Sequence, residues 1–143
     1  MFLLDTNVVF ELRKAGTPNA DANLSQWAGS VESGYLYLSS ISVLELEIGV
    51  LRMERRDKRQ GKVLRMWLAN RVLPAFDGRV LPFDLAAAEC CAQFHVPDPR
   101  SDRDSFIAAI AQVHNLTLVT RNVQDFEALG VPLLNPWQQT SSV

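Results

Sequence analysis

Three carboxylates stand in otherwise apolar stretches of this 143-residue chain: Asp5 after Phe2-Leu3-Leu4, Glu45 within Val43-Leu44-Glu45-Leu46, and Asp104 ahead of Phe106-Ile107-Ala108-Ala109-Ile110. An ionised carboxylate in such surroundings is costly unless something compensates for its lost hydration. No Lys or Arg lies within three residues of Asp5 or Glu45. A divalent cation would supply the missing charge. An all-oxygen donor set suits Mg²⁺ or Mn²⁺, whereas zinc prefers His and Cys. His95 and His114 are not at any paired ligand spacing and read as surface or helix-end residues. A cation held by carboxylates can orient and acidify a water for in-line attack on a phosphodiester. Plainer readings stand beside this one. Asp104 would serve as a charge favoured by a helix N-terminus. Glu45 would serve as a buried structural acid, although Gly49 one turn on leaves room above its carboxylate and favours the ligand role.

The formal net charge of -2 hides a strong asymmetry. Between Arg52 and Arg71 lie eight of the fourteen basic residues, against only Glu54 and Asp57, so this segment carries +6 and the remainder -8. Taken alone, such a run is a solvated helix face. Beside an acidic cluster it acquires another use, since a polyanion repelled by the acids needs a basic surface to attract its phosphates. Arg55, Arg56 and Arg59 are the candidates for that contact.

The elements that must position these residues follow from the hydrophobic pattern. Short apolar strands are expected at Phe2 to Asp5, Tyr35 to Ser39, Arg79 to Phe83, Leu116 to Thr120 and Val131 to Leu134. Helices are expected at Asn7 to Lys14, Asp21 to Ser30, from a Ser42 cap to Arg56, Lys62 to Val72, Asp84 to His95, Arg103 to His114 behind an Asp102 cap, and Val123 to Leu129. Gly61 is read as the break of a protruding helical hairpin and Pro74 as its close. Strands separated by helices imply an α/β fold with a mostly parallel central sheet flanked by helices. In such sheets sites form beyond the carboxyl ends of the strands, where strand order reverses, and Asp5 occupies such an end. The chain reads as a single domain over residues 1–137 with a loose tail over 138–143. Cys90 and Cys91, adjacent on a helix, read as small core residues. No apolar run approaches the roughly 20 residues needed to cross a bilayer, and the start lacks a cationic leader, so a cytoplasmic location is expected.

Four segments in order resemble the successive motifs of PIN-domain ribonucleases: Asp5-Thr6-Asn7, Glu45-Leu46-Glu47-Ile48-Gly49, Asp104-Ser105-Phe106-Ile107-Ala108-Ala109, and Val119-Thr120-Arg121-Asn122-Val123-Gln124-Asp125-Phe126. More narrowly they are similar to VapC-type toxins, including the FitB-like branch, whose usual ending Leu134-Asn135-Pro136-Trp137 resembles. The resemblance implies a PIN-like fold and a Mg²⁺- or Mn²⁺-dependent endoribonuclease. It implies Asp5, Glu45 and Asp104 as the acidic triad, Asp5 and Asp104 as direct ligands, Glu45 as ligand or through water, and Thr6 beside the first acid. A fourth acidic position is common in the family where Asn122 stands here, and Asp125 lies three residues on. Both are auxiliary candidates. Arg121, beside them, is expected to contact RNA.

The same resemblance implies partners: an RNA substrate, a cognate VapB-like antitoxin reaching the acids with a basic side chain, and a homodimer or larger hetero-oligomer with antitoxin. The hairpin agrees, because Val43, Leu44, Leu46, Ile48, Val50, Leu51 and Met53 surround its first half and Leu64, Trp67 and Leu68 add a further apolar face. Leu51 and Trp67 are the candidate contacts. Two other classes compete. A non-catalytic PIN-like module binding RNA or protein would share the fold. An Asp-phosphoacceptor domain would also place Asp at a strand end, but such domains normally use a late Lys, and the last here is Lys62.

Overall fold

A computed structural model describes residues 1–138. The tail read as loose falls, but for Gln138, outside the described residues. In chain order the elements are β1 (Phe2–Leu4), α1 (Thr6–Leu12), α2 (Ala22–Ser30), β2 (Leu36–Ser39), α3 (Ser40–Arg56), α4 (Lys58–Trp67), α5 (Leu73–Ala75), β3 (Val80–Leu81), α6 (Leu85–Phe94), α7 (Asp102–Val113), β4 (Thr117–Val119), α8 (Val123–Phe126) and β5 (Leu133–Leu134). The five strands form one sheet in the order β3-β2-β1-β4-β5, and every pairing is parallel. Strand order therefore reverses at β1, whose register runs Leu3 to Tyr37 on one side and Leu4 to Val119 on the other.

Successive residues of a strand face opposite sides of a sheet, and the two cores follow from that rule. Leu3 and Leu118 point toward α6 and α7, joining Ala87, Cys91, Ile107, Ile110 and Phe126. Leu4 and Val119 point the other way, joining Val8, Leu24, Leu46, Val50, Leu64 and Leu68. Each fully buried leucine contributes about 1.5–3 kcal/mol. The run Ala108-Ala109-Ile110-Ala111 is wholly buried, its small side chains letting α7 lie close against the sheet. Cys91 is buried and Cys90 half-buried, both as free thiols on that face. Among the described residues no helix is long and apolar enough to cross a membrane.

Several boundaries differ from the sequence reading. Ser39, not Ser42, caps α3, accepting from the Ser42 N–H at 3.0 Å. Ser42 is thereby freed to face the interior. Helix α7 begins at Asp102 itself, with Ser101 before it. The hairpin turns at Asp57, whose carboxylate accepts from the N–H groups of Arg59 and Gln60. Gly61 is no break: it is buried where α3 and α4 cross, and a Cβ there would stand 2.4 Å from the Glu54 Cα. Nor does the helical path stop before Pro74. A wide π-turn over Leu68–Val72 leads into α5, and Pro74 sits in the first turn of that segment, where a missing N–H is harmless.

The hairpin's apolar residues divide between two roles. Leu46, Val50, Leu64 and Leu68 are buried within the chain. Trp67 stacks on Phe10 at 5.9 Å and belongs to the same core, so it holds the hairpin to the body and is not a free contact. Leu44, Leu51, Val63 and Met66 remain about half exposed.

Candidate acidic site at the strand-order reversal

Asp5 leaves the carboxyl end of β1 and is only 6 % exposed. Three donors hold it. Its Oδ1 accepts from the Thr6 N–H at 2.8 Å; its Oδ2 accepts from Thr120 Oγ1 at 2.7 Å and from Asn7 Nδ2 at 3.3 Å. A carboxylate offers about four lone-pair positions, so one remains free. Thr120 closes β4 as Asp5 closes β1, and the pairing of those strands brings residues 115 apart in sequence into contact. The Thr120 oxygen in turn accepts from the Asn122 N–H at 3.0 Å, fixing the start of α8.

Glu45 comes from the second turn of α3 and reaches the same corner through Thr6, whose hydroxyl lies 2.8 Å from Glu45 Oε1 and 3.0 Å from Ser42 Oγ. One hydroxyl therefore couples the backbone turn after β1 to α3. Gly49 does not leave space above the Glu45 carboxylate; it faces the Phe10 ring, 3.0 Å from where its Cβ would be. The second Glu45 oxygen, Oε2, is 3.7 Å from Arg103 Nη1.

Asp104 stands in the first turn of α7, half-buried. Its carboxyl pKa is raised by burial first, then by the charges of Asp125 and Glu45. Burial likewise pushes Asp5 up to about 6; hydrogen bonds from Thr120 and Thr6 oppose this, and the charges of Glu45 and Asp104 add to it. The three acids singled out from sequence thus share one electrostatic neighbourhood. Asp125 joins them through Asp104, whereas Asn122 enters only through its backbone N–H. Among the described residues no three Asp, Glu, His or Cys side chains stand close enough together to enclose one ion in their present rotamers.

The remaining candidates lie apart. Arg121 is exposed at the rim, its guanidinium 5.4 Å from the Trp137 ring and its N–H bonded to Asn7 Oδ1 at 3.3 Å. Arg55, Arg56 and Arg59 are exposed at the far end of the hairpin. Eleven residues separate Glu45 from Arg56, about 16 Å along α3.

Sequence reading missed Thr120, Asn7, Ser42 and Arg103. Thr120 had a signal: like Asp5 it is a polar residue directly after an apolar strand. Arg103 had one too, as a cation in a helix's first turn, where the dipole disfavours it. His95 caps the end of α6 as expected, but it is also wired inward. Its Nδ1 accepts from the Arg100 N–H at 3.2 Å, so Nε2 carries the proton and donates to the buried Ser105 Oγ at 2.9 Å. Ser105 passes on to the Asp102 carbonyl at 2.8 Å, which anchors the loop ahead of α7 and so the base of Asp104.

A family model described as the PIN domain matches residues 2–131. The VapC ribonuclease Y4jK of Sinorhizobium fredii is 38% identical over 143 residues, spanning 96% of this chain and 99% of that protein. The toxin FitB of Neisseria gonorrhoeae is 37% identical over 142 residues, with 96% and 99% covered. The crystal structure of FitAcB from Neisseria gonorrhoeae superposes with a TM-score of 0.88 at 35% identity, covering 97% of this chain and 100% of that one.

Proposed function

This chain belongs to the PIN-domain family, and on that premise we propose that it is the toxin of a toxin–antitoxin pair, an endoribonuclease dependent on Mg²⁺ or Mn²⁺. The observation that carries the proposal is Asp5: a carboxyl at the reversal of strand order that burial, with a smaller contribution from the charges of Glu45 and Asp104, pushes up to about 6. Such a site is unfavourable in isolation and suits a hard cation with oxygen ligands. Asp5 and Asp104 would hold the ion, with Glu45 a ligand directly or through a water, after a change of rotamer at Glu45 or Asp104. When bound, the ion supplies charge for the phosphodiester transition state and lowers the pKa of a coordinated water.

The chain's own residues supply the rest. Thr120, Asn7 and the Thr6 N–H fix Asp5 and leave one lone-pair direction open. Thr6 fixes Glu45 Oε1, so Oε2, which faces Arg103, is the oxygen that would take the proton of an attacking water. Asp125 adds negative charge beside Asp104, and Asn122 offers a carbonyl oxygen at the edge. No side-chain nucleophile is required. Arg121 holds RNA at the rim, and its phosphates are attracted by Arg55 and Arg56, about 16 Å along α3, and by Arg59 at the start of α4. The exposed Leu44 and Leu51 on α3, with Val63 and Met66 on α4, are the surfaces we assign to a second copy and to an antitoxin. The place of action is the cytoplasm, where RNA is met.

The test is cleavage of RNA by the purified full chain. Activity should appear with Mg²⁺ or Mn²⁺ and vanish in chelator. RNA binding without cleavage under any divalent cation would make this a non-catalytic module.

A further inference from the structure

We propose that Arg103 is a built-in counter-cation of the acidic site with two alternative anionic partners, the Glu45 carboxylate in the free protein and an RNA phosphate in the working one. The inference rests on the metal-site reading above. Among the described residues, Arg103 makes the only ion pair to any of Asp5, Glu45, Asp104 or Asp125. That pair is loose. At 3.7 Å it is too long for a hydrogen bond, and the Arg103 side chain is 51% exposed, so water screens it and little holds it in place.

Its position is not explained by helix stability. Arg103 lies in the first turn of α7, a twelve-residue helix, where the macrodipole favours anions and disfavours a cation. Its partner is chosen by local geometry: Thr6 occupies Glu45 Oε1 and leaves Oε2 as the atom that faces Arg103. A guanidinium fork matches a phosphate as well as a carboxylate. Once Glu45 is committed to a divalent cation, Arg103 loses its partner, and the nearest anion to replace it is the phosphate of an RNA strand entering the same corner. Cation binding and RNA binding are thereby linked through one side chain, and linkage of this kind is reciprocal.

The experiment measures Mn²⁺ affinity of the full chain without RNA, by electron paramagnetic resonance or calorimetry, in wild type, R103Q and R103K. R103Q should bind Mn²⁺ about three- to tenfold more tightly, because a competing positive charge is gone, while R103K should stay near wild type. On a single-stranded oligoribonucleotide with Mn²⁺, R103Q should raise KM with kcat changed by less than about threefold, and R103K should restore part of the loss. Equal Mn²⁺ affinity in all three proteins, or weaker binding in R103Q, would overturn the role of Arg103 and leave the metal site standing. No Mn²⁺ binding by wild type would remove both readings.

Discussion

Two places in this molecule gather acids, and they are treated in opposite ways. At the crossing of α3 and α4, Glu47 and Glu54 flank Arg65, whose guanidinium lies 2.6 Å from one and 3.5 Å from the other. At the end of β1, Asp5, Glu45, Asp104 and Asp125 share a corner with one loosely held Arg103. In the first cluster both carboxylates are paired with one guanidinium, and it is half-exposed and lies over Gly61, where two backbones touch; its charges fasten one helix to another. The second is buried at its centre and left negative, so that a carboxyl retains its proton into the weakly acidic range. Acidic residues alone do not mark a functional site. What separates the two clusters is the deficit of compensating charge in a well hydrogen-bonded frame at the end of β1.

The strongest way to break this contrast is to remove the deficit. Asp5→Asn should lower RNA cleavage by more than about a hundredfold, the loss an outer partner of a metal ligand typically brings, while the protein stays folded. The Asn side chain has the same shape, and Thr120 can turn its hydroxyl to accept instead of donate. Full activity in Asp5→Asn would return the cluster to the same standing as the Arg65 crossing.

The second test reads the deficit as stability. The Asp5 carboxyl titrates near 6 in the folded protein against an ordinary 3.8, so the folded state holds a proton the unfolded chain has released. Stability therefore falls as pH rises from about 4 to about 6, by at most about 3 kcal/mol, and below the ordinary value this group has no effect. In chelator, the denaturation free energy of wild type minus that of Asp5→Asn should decline between pH 4.5 and 7. A flat difference would show that burial does not raise the Asp5 carboxyl in the folded protein.

The crossing should behave in the complementary manner. Gly61→Ala puts a methyl group against the Glu54 backbone and should cost about 1–3 kcal/mol of stability, with Mn²⁺ affinity unchanged. A matching loss of Mn²⁺ affinity would mean that the two acid clusters are mechanically coupled. The smallest effect is expected at the hairpin's end, where Arg55, Arg56 and Arg59 together reversed to Glu should flatten the salt dependence of RNA binding by about two units of log–log slope. An unchanged slope would leave that end as solvated surface.

The two clusters also differ in how far they could be read from sequence. Asp5, Glu45 and Asp104 stood out because each interrupts an apolar run, and the alternation of strands and helices placed Asp5 at the reversal of an α/β sheet. What joins them was not legible. Thr120 reaches Asp5 only because β4 pairs with β1, a long-range contact that no local pattern encodes. Arg65 looked like one more member of a basic run, because nothing in its neighbours announces a salt bridge to the preceding helix. Gly61 misled for a related reason: a glycine in a polar helix reads as a break, and only the packing of α3 shows that it is a point of contact. Ser39 and Ser42 were confused because both are serines near the start of the same helix, and only the hydrogen bond from the Ser42 N–H shows that Ser39 is the cap.

The pairing of β1 with β4 has a consequence for the birth of the protein. A nascent chain that has reached residue 116 already carries Asp5, Glu45 and Asp104 on their strand and helices, yet it has neither the strand that completes the centre of the sheet nor the hydroxyl that orients Asp5. The acids are made early and armed late. Synthesis itself therefore keeps the corner unassembled until most of the polypeptide has been made.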